Sequence, residues 1–367
     1  MSFGGEQSTA APDDRSLRRW DLARGRIGVA FLPLAILLVC LRLTPLPVAL
    51  QKPPPQSVEF LDRNGQSLRR LLVDEKRYAS ACTLAEVSPH CIAATLSAED
   101  KRFWFHTGID PLAVLRAIKQ MWAGNGFQSG ASTVTQQLVK GAEKSDRENL
   151  LSSMSRVDGR VLSTGTRRRT VLTKFREAWL ALRVEWAWSK ERILTEYLNR
   201  LDYGNLQTGI ASASRHYFAK PPSDLSPAES AFLAALPNAP GRLNPRHGIA
   251  AARVRQLWIL DRMHSNGWLG TDALERARLE PLHLTLADRH FEAPLFVNRL
   301  LNREGLLPAA GGVVRTTLDL ALDRKAQELL GENLRRLPVP GVAGAVVVIE
   351  NATGNVLAMA GAHTDPR

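Results

Sequence analysis

The longest break in the polar pattern of this chain lies near its amino terminus. Ile27 to Leu41 is an uncharged apolar run; Arg42 interrupts it, and LTPLPVAL carries it on to Leu50. A membrane span needs about 20 apolar residues, so the first run alone is short. Snorkelling of Arg42 to the interface would extend it. Arg15, Arg18, Arg19, Arg24 and Arg26 precede the run, opposed by Asp13, Asp14 and Asp21. That bias holds the amino terminus in the cytoplasm and sends the rest outside. We expect a cytoplasmic tail over 1–26 and an uncleaved signal anchor over 27–50. A cleaved secretory signal is the alternative, but no clear small-x-small site follows the run.

Beyond the anchor the pattern changes three times. QKPPPQ (51–56) reads as a stiff, extended linker. Two strand-like runs flank Arg63-Asn64-Gly65, and Asn-Gly predicts a hairpin, so 51–80 is expected as linker and hairpin. From about residue 83 the spacing turns helical. Thr83 with Glu86, and Ser226-Pro227 with Glu229, fit capping boxes. Asp110-Pro111 opens a helix with Leu112, Leu115 and Ile118 on one side. Phe175, Ala178, Trp179, Leu182 and Trp186 form an apolar stripe at helical spacing, which predicts a core-facing side. Near Val313 the texture becomes α/β: a short strand, a helix, then two β-branched strands around Thr353-Gly354. Residues 301–367 are expected to be a linker and the incomplete start of a further domain.

Composition narrows the class. With 367 residues, 44% hydrophobic and 23% charged, the chain is globular and holds about two or three domains. The net charge of +12 suits either nucleic acid or anionic lipid. An outward-facing anchor favours phospholipid or a lipid-linked phosphate over nucleic acid. The three cysteines exclude a disulfide framework, and there is no CxxC pair for structural zinc. Cys82 and Cys91 are either a disulfide in an oxidising compartment or two small buried hydrophobes.

Three stretches carry candidate chemistry. In AEDKRFWFHTGID, the spacing of Glu99, Phe103 and His106 predicts one face of a helix that Gly108 would end. A glutamate against aromatic surface could serve as a base near neutral pH, although Ser97 and Asp100 also fit an ordinary helix cap. In GASTVTQQLVK (130–140), Ser132, Gln136 and Gln137 offer neutral donors and Lys140 a cation, which suits an anionic or sugar ligand. Thr133 with Gln136 equally fits a helix cap. In RRRTVLTKFREAWLALRVEW, Lys174 and Glu177 share a helical face, with Arg167, Arg168 and Arg169 upstream. Glu177 among so many cations should stay ionised, a charge partner rather than a proton donor. A plain salt-bridged helix would look the same.

Taken in order, EDKRFWFHTG, GASTVTQQLVK, KFREAWLALRVEWAWSKERILTEYLNRLDYG and LSPAESAFLAALPNAPGRLNP resemble the peptidoglycan glycosyltransferase (family 51) domain. With the basic tail, single anchor and downstream second segment, the chain resembles class A penicillin-binding proteins, and YLNRLDYGNLQTGIASASRHYFAKPP leans toward the 1C type. The resemblance implies a mainly α, lysozyme-like domain over 81–300 at the outer face of a bacterial inner membrane, with a partial α/β segment at the carboxyl end. It implies inverting polymerisation of lipid II into glycan strands with release of undecaprenyl diphosphate. By motif position, Glu99 would be the general base on the acceptor 4-hydroxyl and Glu177 the second glutamate, near the donor diphosphate. Lys140, Arg169 and Lys174 would neutralise that diphosphate; Ser132, Gln136 and Gln137 would line the donor site; and Asp100, Phe103 and His106 would complete the substrate surface. Implied partners are lipid II, the growing glycan, membrane phospholipid and other cell-wall synthesis proteins. The resemblance leaves room for a divalent cation (Mg or Mn) at the diphosphate, as in some relatives.

Some positions depart from the pattern. Thr173 stands where relatives usually carry Arg, Gly141 replaces a common Asn, and the Ser-rich stretch 141–168 is long, which predicts a mobile loop against lipid headgroups. No serine is followed by lysine three positions later, and neither K-T-G nor K-S-G occurs. Transpeptidation and penicillin binding by this chain are therefore not expected. A lysozyme-like hydrolase and a non-catalytic membrane scaffold are the alternatives to a polymerase.

Overall fold

The computed structural model describes residues 33, 35–74, 76–122, 132–158, 171–285, 291–303, 311–338 and 341–363. Its order is β1 (Val58–Leu61), β2 (Ser67–Arg70), β3 (Tyr78–Ala79), α1 (Pro89–Glu99), α2 (Pro111–Trp122), α3 (Val134–Asp158), α4 (Val171–Ala187), α5 (Lys190–Arg200) and β4 (Gln207–Thr208). Then come α6 (Ile210–Phe218), α7 (Pro227–Ala235), α8 (Ala250–Ser265), α9 (Thr271–Leu279), α10 (Pro294–Leu301), β5 (Gly312–Arg315), α11 (Leu320–Arg335), β6 (Ala343–Ile349) and β7 (Val356–His363). The architecture is mainly helical, as expected.

The amino-terminal segment corrects one boundary. Residues 27–32 and 34 lie outside the described residues. Residues 35–43 are helical, the helix stops at Thr44 before Pro45 and Pro47, and Val48–Gln51 forms one further turn. Among the described residues no helix is long and apolar enough to cross a membrane. The proposed span cannot run to residue 50, because Leu50 is 2% exposed inside the main core with Ala49. Proline cannot supply the N–H that would continue the helix. The junction is fastened instead. Trp179 Nε1 donates to Thr44 Oγ1 at 2.9 Å, Arg183 Nε to the Thr44 carbonyl at 3.0 Å, and the Ala49 amide to Asp146 Oδ1 at 2.8 Å.

The main core packs α1, α3, α4, α5, α6 and α7 around Phe103, Val139, Leu180, Ile193, Tyr203, Tyr217 and Phe232. Both expected capping boxes are present, Thr83–Glu86 opening a 3₁₀ turn and Ser226–Glu229 opening α7. Asp110 caps α2 through the Leu112 and Ala113 amides, both at 3.1 Å. Gly209, at φ +85°, opens α6, and a Cβ there would stand 2.7 Å from the Ser80 carbonyl oxygen and 3.0 Å from that of Asn199. Gly209→Ala should cost about 2 kcal/mol, from left-handed strain plus displaced backbone; thermal unfolding of the variant measures it.

The hairpin around Gly65 forms as expected, but it is not a free linker. β1 pairs with β2 antiparallel and with β5 parallel, so the sheet order is β2-β1-β5. Phe60 and Leu68 share a core with Phe296, Val297, Leu318 and Leu320. β6 and β7 pair antiparallel around the expected turn, against α11.

Two helices differ from expectation. The stripe Phe175–Trp186 on α4 does not face the core: Phe175 is 72% and Trp186 53% exposed. The buried side is Glu177, Leu180, Ala181 and Val184, one residue round the helix, where α4 meets α3. On α2, Leu112 and Leu115 are exposed too, as is the nearby Phe105. Residues 141–158 are not a loop but continue α3. Good helix formers carry it, and Lys144–Glu148 (3.7 Å) and Glu143–Arg176 (2.7 Å) brace it. Residues 159–170, including the Arg167–Arg169 cluster, lie outside the described residues.

Candidate active site

Glu99 is the last residue of α1. A carboxylate in the final turn of a helix faces the negative end of the macrodipole and needs compensating partners. Two arrive from distant parts of the chain. Gln137 on α3 donates from Nε2 to Glu99 Oε2 at 2.8 Å, and Arg255 on α8 places Nη2 3.6 Å from Glu99 Oε1. Gln137 is itself oriented, because the Tyr197 hydroxyl donates to its Oε1 at 3.0 Å. Tyr197 is buried, and its hydroxyl is pushed well above the usual phenol range by burial and then by the Glu99 and Asp100 charges, so it remains a donor. Among the described residues, Oε1 has no close hydrogen-bond donor.

α1 ends earlier than the Glu99–Phe103–His106 spacing predicts, because Asp100 is claimed by tertiary partners. Its backbone is extended (φ −160°), and its carboxylate accepts from the Val134 amide at 3.0 Å and from His106 Nε2 at 2.9 Å. The Gly108 amide donates to His106 Nδ1 at 3.1 Å, so Nε2 carries the proton given to Asp100. Asp100 therefore serves the amino end of α3, not a cap on its own helix, and so locks Gln137 opposite Glu99. Thr133 and Gln136 complete that end as the expected capping box, with the Thr133 amide donating to Gln136 Oε1 at 3.2 Å. Thr133 Oγ1 also donates to the Gly108 carbonyl at 2.7 Å. Phe103, Asp100 and His106, expected at the substrate surface, are all buried: Phe103 packs edge-on to Trp104 and His106, under the Lys190 ammonium at 4.4 Å. Their place is behind the site, holding it. A 3₁₀ turn over Phe103–Phe105 replaces the expected continuous helix.

The remaining candidates fall on α3 and α4. Lys174 and Glu177 pair at 2.5 Å, with Glu177 buried and Lys174 exposed. Burial of a carboxylate needs such a partner, so Glu177 is held as a charge partner. Ser132 is half-buried just before α3, and Lys140 is exposed one turn beyond Gln136 and Gln137. Arg169 lies outside the described residues. Gly108, at φ +92°, presses its loop on α4, where a Cβ would stand 2.9 Å from the Ala181 carbonyl oxygen. The loop after Glu99, the start of α3 and the buried side of α4 are thereby clamped together.

Gln137 and Tyr197 also line a cavity of about 650 Å³, bordered by the cations Lys76, Arg77, Lys144 and Arg200 and by Gly141 and Asn205. A side chain at Gly141 would meet nothing within 4 Å, so the cavity is open at this position. A second cavity of about 840 Å³ separates residues 44–51 from α3 and α4; Thr173 lines it beside Arg147 and Arg176. Two cations thus border the space next to Thr173. Cys82 and Cys91 are free, with burial pushing their thiols up to about 11 and about 12. Among the described residues no group of three or more His, Cys, Asp or Glu could hold a metal ion.

Sequence spacing brought Glu99 and Gln137 forward but missed two residues that complete their setting. Tyr197 sits in the quoted YLNR stretch, and only its contact with Gln137 reveals its part. Arg255 lies in AARVRQLWILDRM, which carries no local motif.

Comparison with known proteins identifies the family. Penicillin-binding protein 1A of Aquifex aeolicus is 32% identical over 289 residues, 77% of this chain and 36% of that protein. Penicillin-binding protein 1C of Escherichia coli is 32% identical over 305 residues, 83% of this chain and 36% of that one. The chain therefore spans about a third of the length of these curated relatives. A crystal structure of penicillin-binding protein 1A from Haemophilus influenzae aligns over 83% of this chain and 39% of that one, at 17% identity and a TM-score of 0.38, and adds nothing to the sequence matches. The Transglycosylase family model matches residues 64–264, more than half of the chain and all of the Glu99, Gln137, Tyr197 and Arg255 constellation, so the chain belongs to the transglycosylase family.

Proposed function

We propose that this chain is a peptidoglycan glycosyltransferase that polymerises lipid II with inversion and releases undecaprenyl diphosphate. The observation that carries the reading is the Glu99 carboxylate, held at Oε2 by Gln137, which also lines a cavity edged by Lys76, Arg77, Lys144 and Arg200. The acceptor 4-hydroxyl gives its proton to Glu99 as its oxygen bonds to the donor anomeric carbon. The bond from that carbon to the diphosphate breaks, and the electron pair leaves on the diphosphate. Such a leaving group needs positive charge more than a proton. Lys140, Lys174 and Arg169 are the cations assigned to it by motif position, while Ser132, Gln136 and Gln137 bind the donor sugar.

A hydrolase fits less well. An inverting glycosidase requires a carboxyl free to protonate the leaving group, and Glu177 is buried and already engaged by the Lys174 ammonium at 2.5 Å. Outward topology, the amino-terminal membrane anchor, contact with phospholipid and association with other cell-wall synthesis proteins belong to the same proposal. The exposed Ile36, Leu37, Leu38, Val39 and Leu43 on one helix, with exposed Leu112, Leu115 and Phe175 elsewhere, support the membrane part.

The test is direct. Detergent-solubilised full-length chain incubated with lipid II should yield long glycan strands and free undecaprenyl diphosphate. Binding of lipid II without polymer in several detergents would instead point to a scaffold. Short soluble fragments from preformed peptidoglycan would point to a hydrolase.

A further inference from the structure

Arg255 sits where its surroundings disfavour it. Its guanidinium lies over the Trp258 ring at 5.2 Å, and the same ring carries Arg262 at 4.7 Å. Arg262 is tied to α1, donating from Nε to the Ser97 carbonyl at 2.8 Å. Burial lowers Arg255 below the ordinary arginine value and Arg242 adds to this; Glu99 is the group that works the other way. Arg262 is lowered likewise, by burial and then by Arg116 and Arg255. Arg255 Nε is buried with no hydrogen-bond partner among the described residues. An unpaired buried donor costs roughly 1–3 kcal/mol, and such an expense in a native structure asks for an explanation.

The explanation lies in what Arg255 faces. We infer that Arg255 is a positioning residue for the base: it holds Glu99 Oε1 by charge, from α8, while Gln137 holds Oε2 by a hydrogen bond, from α3. At 3.6 Å the Arg255 contact is an ion pair without a close hydrogen bond. It therefore fixes the carboxylate without occupying the lone pair that must receive the acceptor proton. Both side chains are largely withdrawn from water, 23% exposed for Arg255 and 20% for Glu99, so the pair is screened less than a surface pair. The Arg255–Trp258–Arg262 stack keeps the guanidinium from turning away, and the Ser97 contact ties that stack to the helix that ends in Glu99. Arg255 exchanges no bond in the reaction; it acts through Glu99. This inference rests on the glycosyl-transfer reading above.

Lipid II polymerisation by the full chain, followed as rate against lipid II concentration beside thermal unfolding, tests it. Arg255→Met keeps the stem over Trp258 and removes the charge. It should lower kcat about 30- to 100-fold, the scale of a misplaced catalytic group, with KM within about twofold, the pattern of an interaction felt in the transition state. Arg255→Lys restores the charge and should recover to within about tenfold of the parent protein. Should Arg255→Met not fold, Arg255→Gln carries the same expectation. Unchanged kcat, a loss carried by KM, a loss matched by a fallen Tm, or no recovery in a folded Arg255→Lys would overturn the inference. Absence of polymer from the unsubstituted chain would instead strike the glycosyl-transfer reading.

Discussion

Glu99→Gln should abolish glycan polymerisation, with a fall of at least about 10³-fold, inside the range that a positioned base contributes. The substitution keeps the shape of the side chain and leaves Gln137 an amide oxygen to donate to, so unfolding should shift little. Lipid II should still bind, because the cations assigned to the diphosphate are untouched. Gel analysis of radiolabelled strands beside a binding measurement separates the two. A variant that polymerises within tenfold of the parent protein would remove Glu99 as the base and, with it, the meaning of the open Oε1.

Asp100→Ala should be the most destabilising single change at the site. It leaves the Val134 amide and the His106 Nε2 proton buried with no acceptor, at about 1–3 kcal/mol each. A total of about 3–5 kcal/mol corresponds to a Tm lower by roughly 10 °C for a domain of this size. Activity should fall as well, since Asp100 holds the end of α3 that presents Gln137 to Glu99. Asp100→Asn, which keeps one acceptor, should be intermediate. Calorimetry with both variants tests this, and a Tm within about 3 °C of the parent in Asp100→Ala would show that another contact seats α3.

Much of this molecule was legible in the sequence wherever the signal is local. The Asn64-Gly65 hairpin, the Thr83, Ser226 and Thr133 caps and the Asp110-Pro111 helix start each depend on neighbours within a few residues, and each forms. Misreadings arose where a distant partner outbid the local pattern. The α1 face was expected to continue through His106, but Asp100 bonds Val134 instead and the helix stops. The α4 stripe was expected in the core because its spacing is helical, yet spacing does not say which solvent a stripe meets. A span to residue 50 followed from hydropathy alone, and the packing of Ala49 and Leu50 against the folded domain is a tertiary fact. Around the candidate site, Glu99 and Gln137 stand in recognisable motifs and meet in the fold, whereas Phe103 and His106, which share a motif with Glu99, are buried. Arg255 had no such motif and needed the approach of α8 to α1.

The bonds at Thr44 have a bearing on geometry as well as stability. With Trp179 and Arg183 gripping that residue and Asp146 gripping Ala49, the end of the apolar helix before it is tied to α3 and α4 by three hydrogen bonds. If that helix stands in a bilayer, the height of Glu99 above the lipid plane is set by the fold rather than by the length of a leash. A headgroup-linked sugar would then meet the carboxylate at one depth only, and lengthening the 44–47 joint should blur that alignment without altering the chemistry.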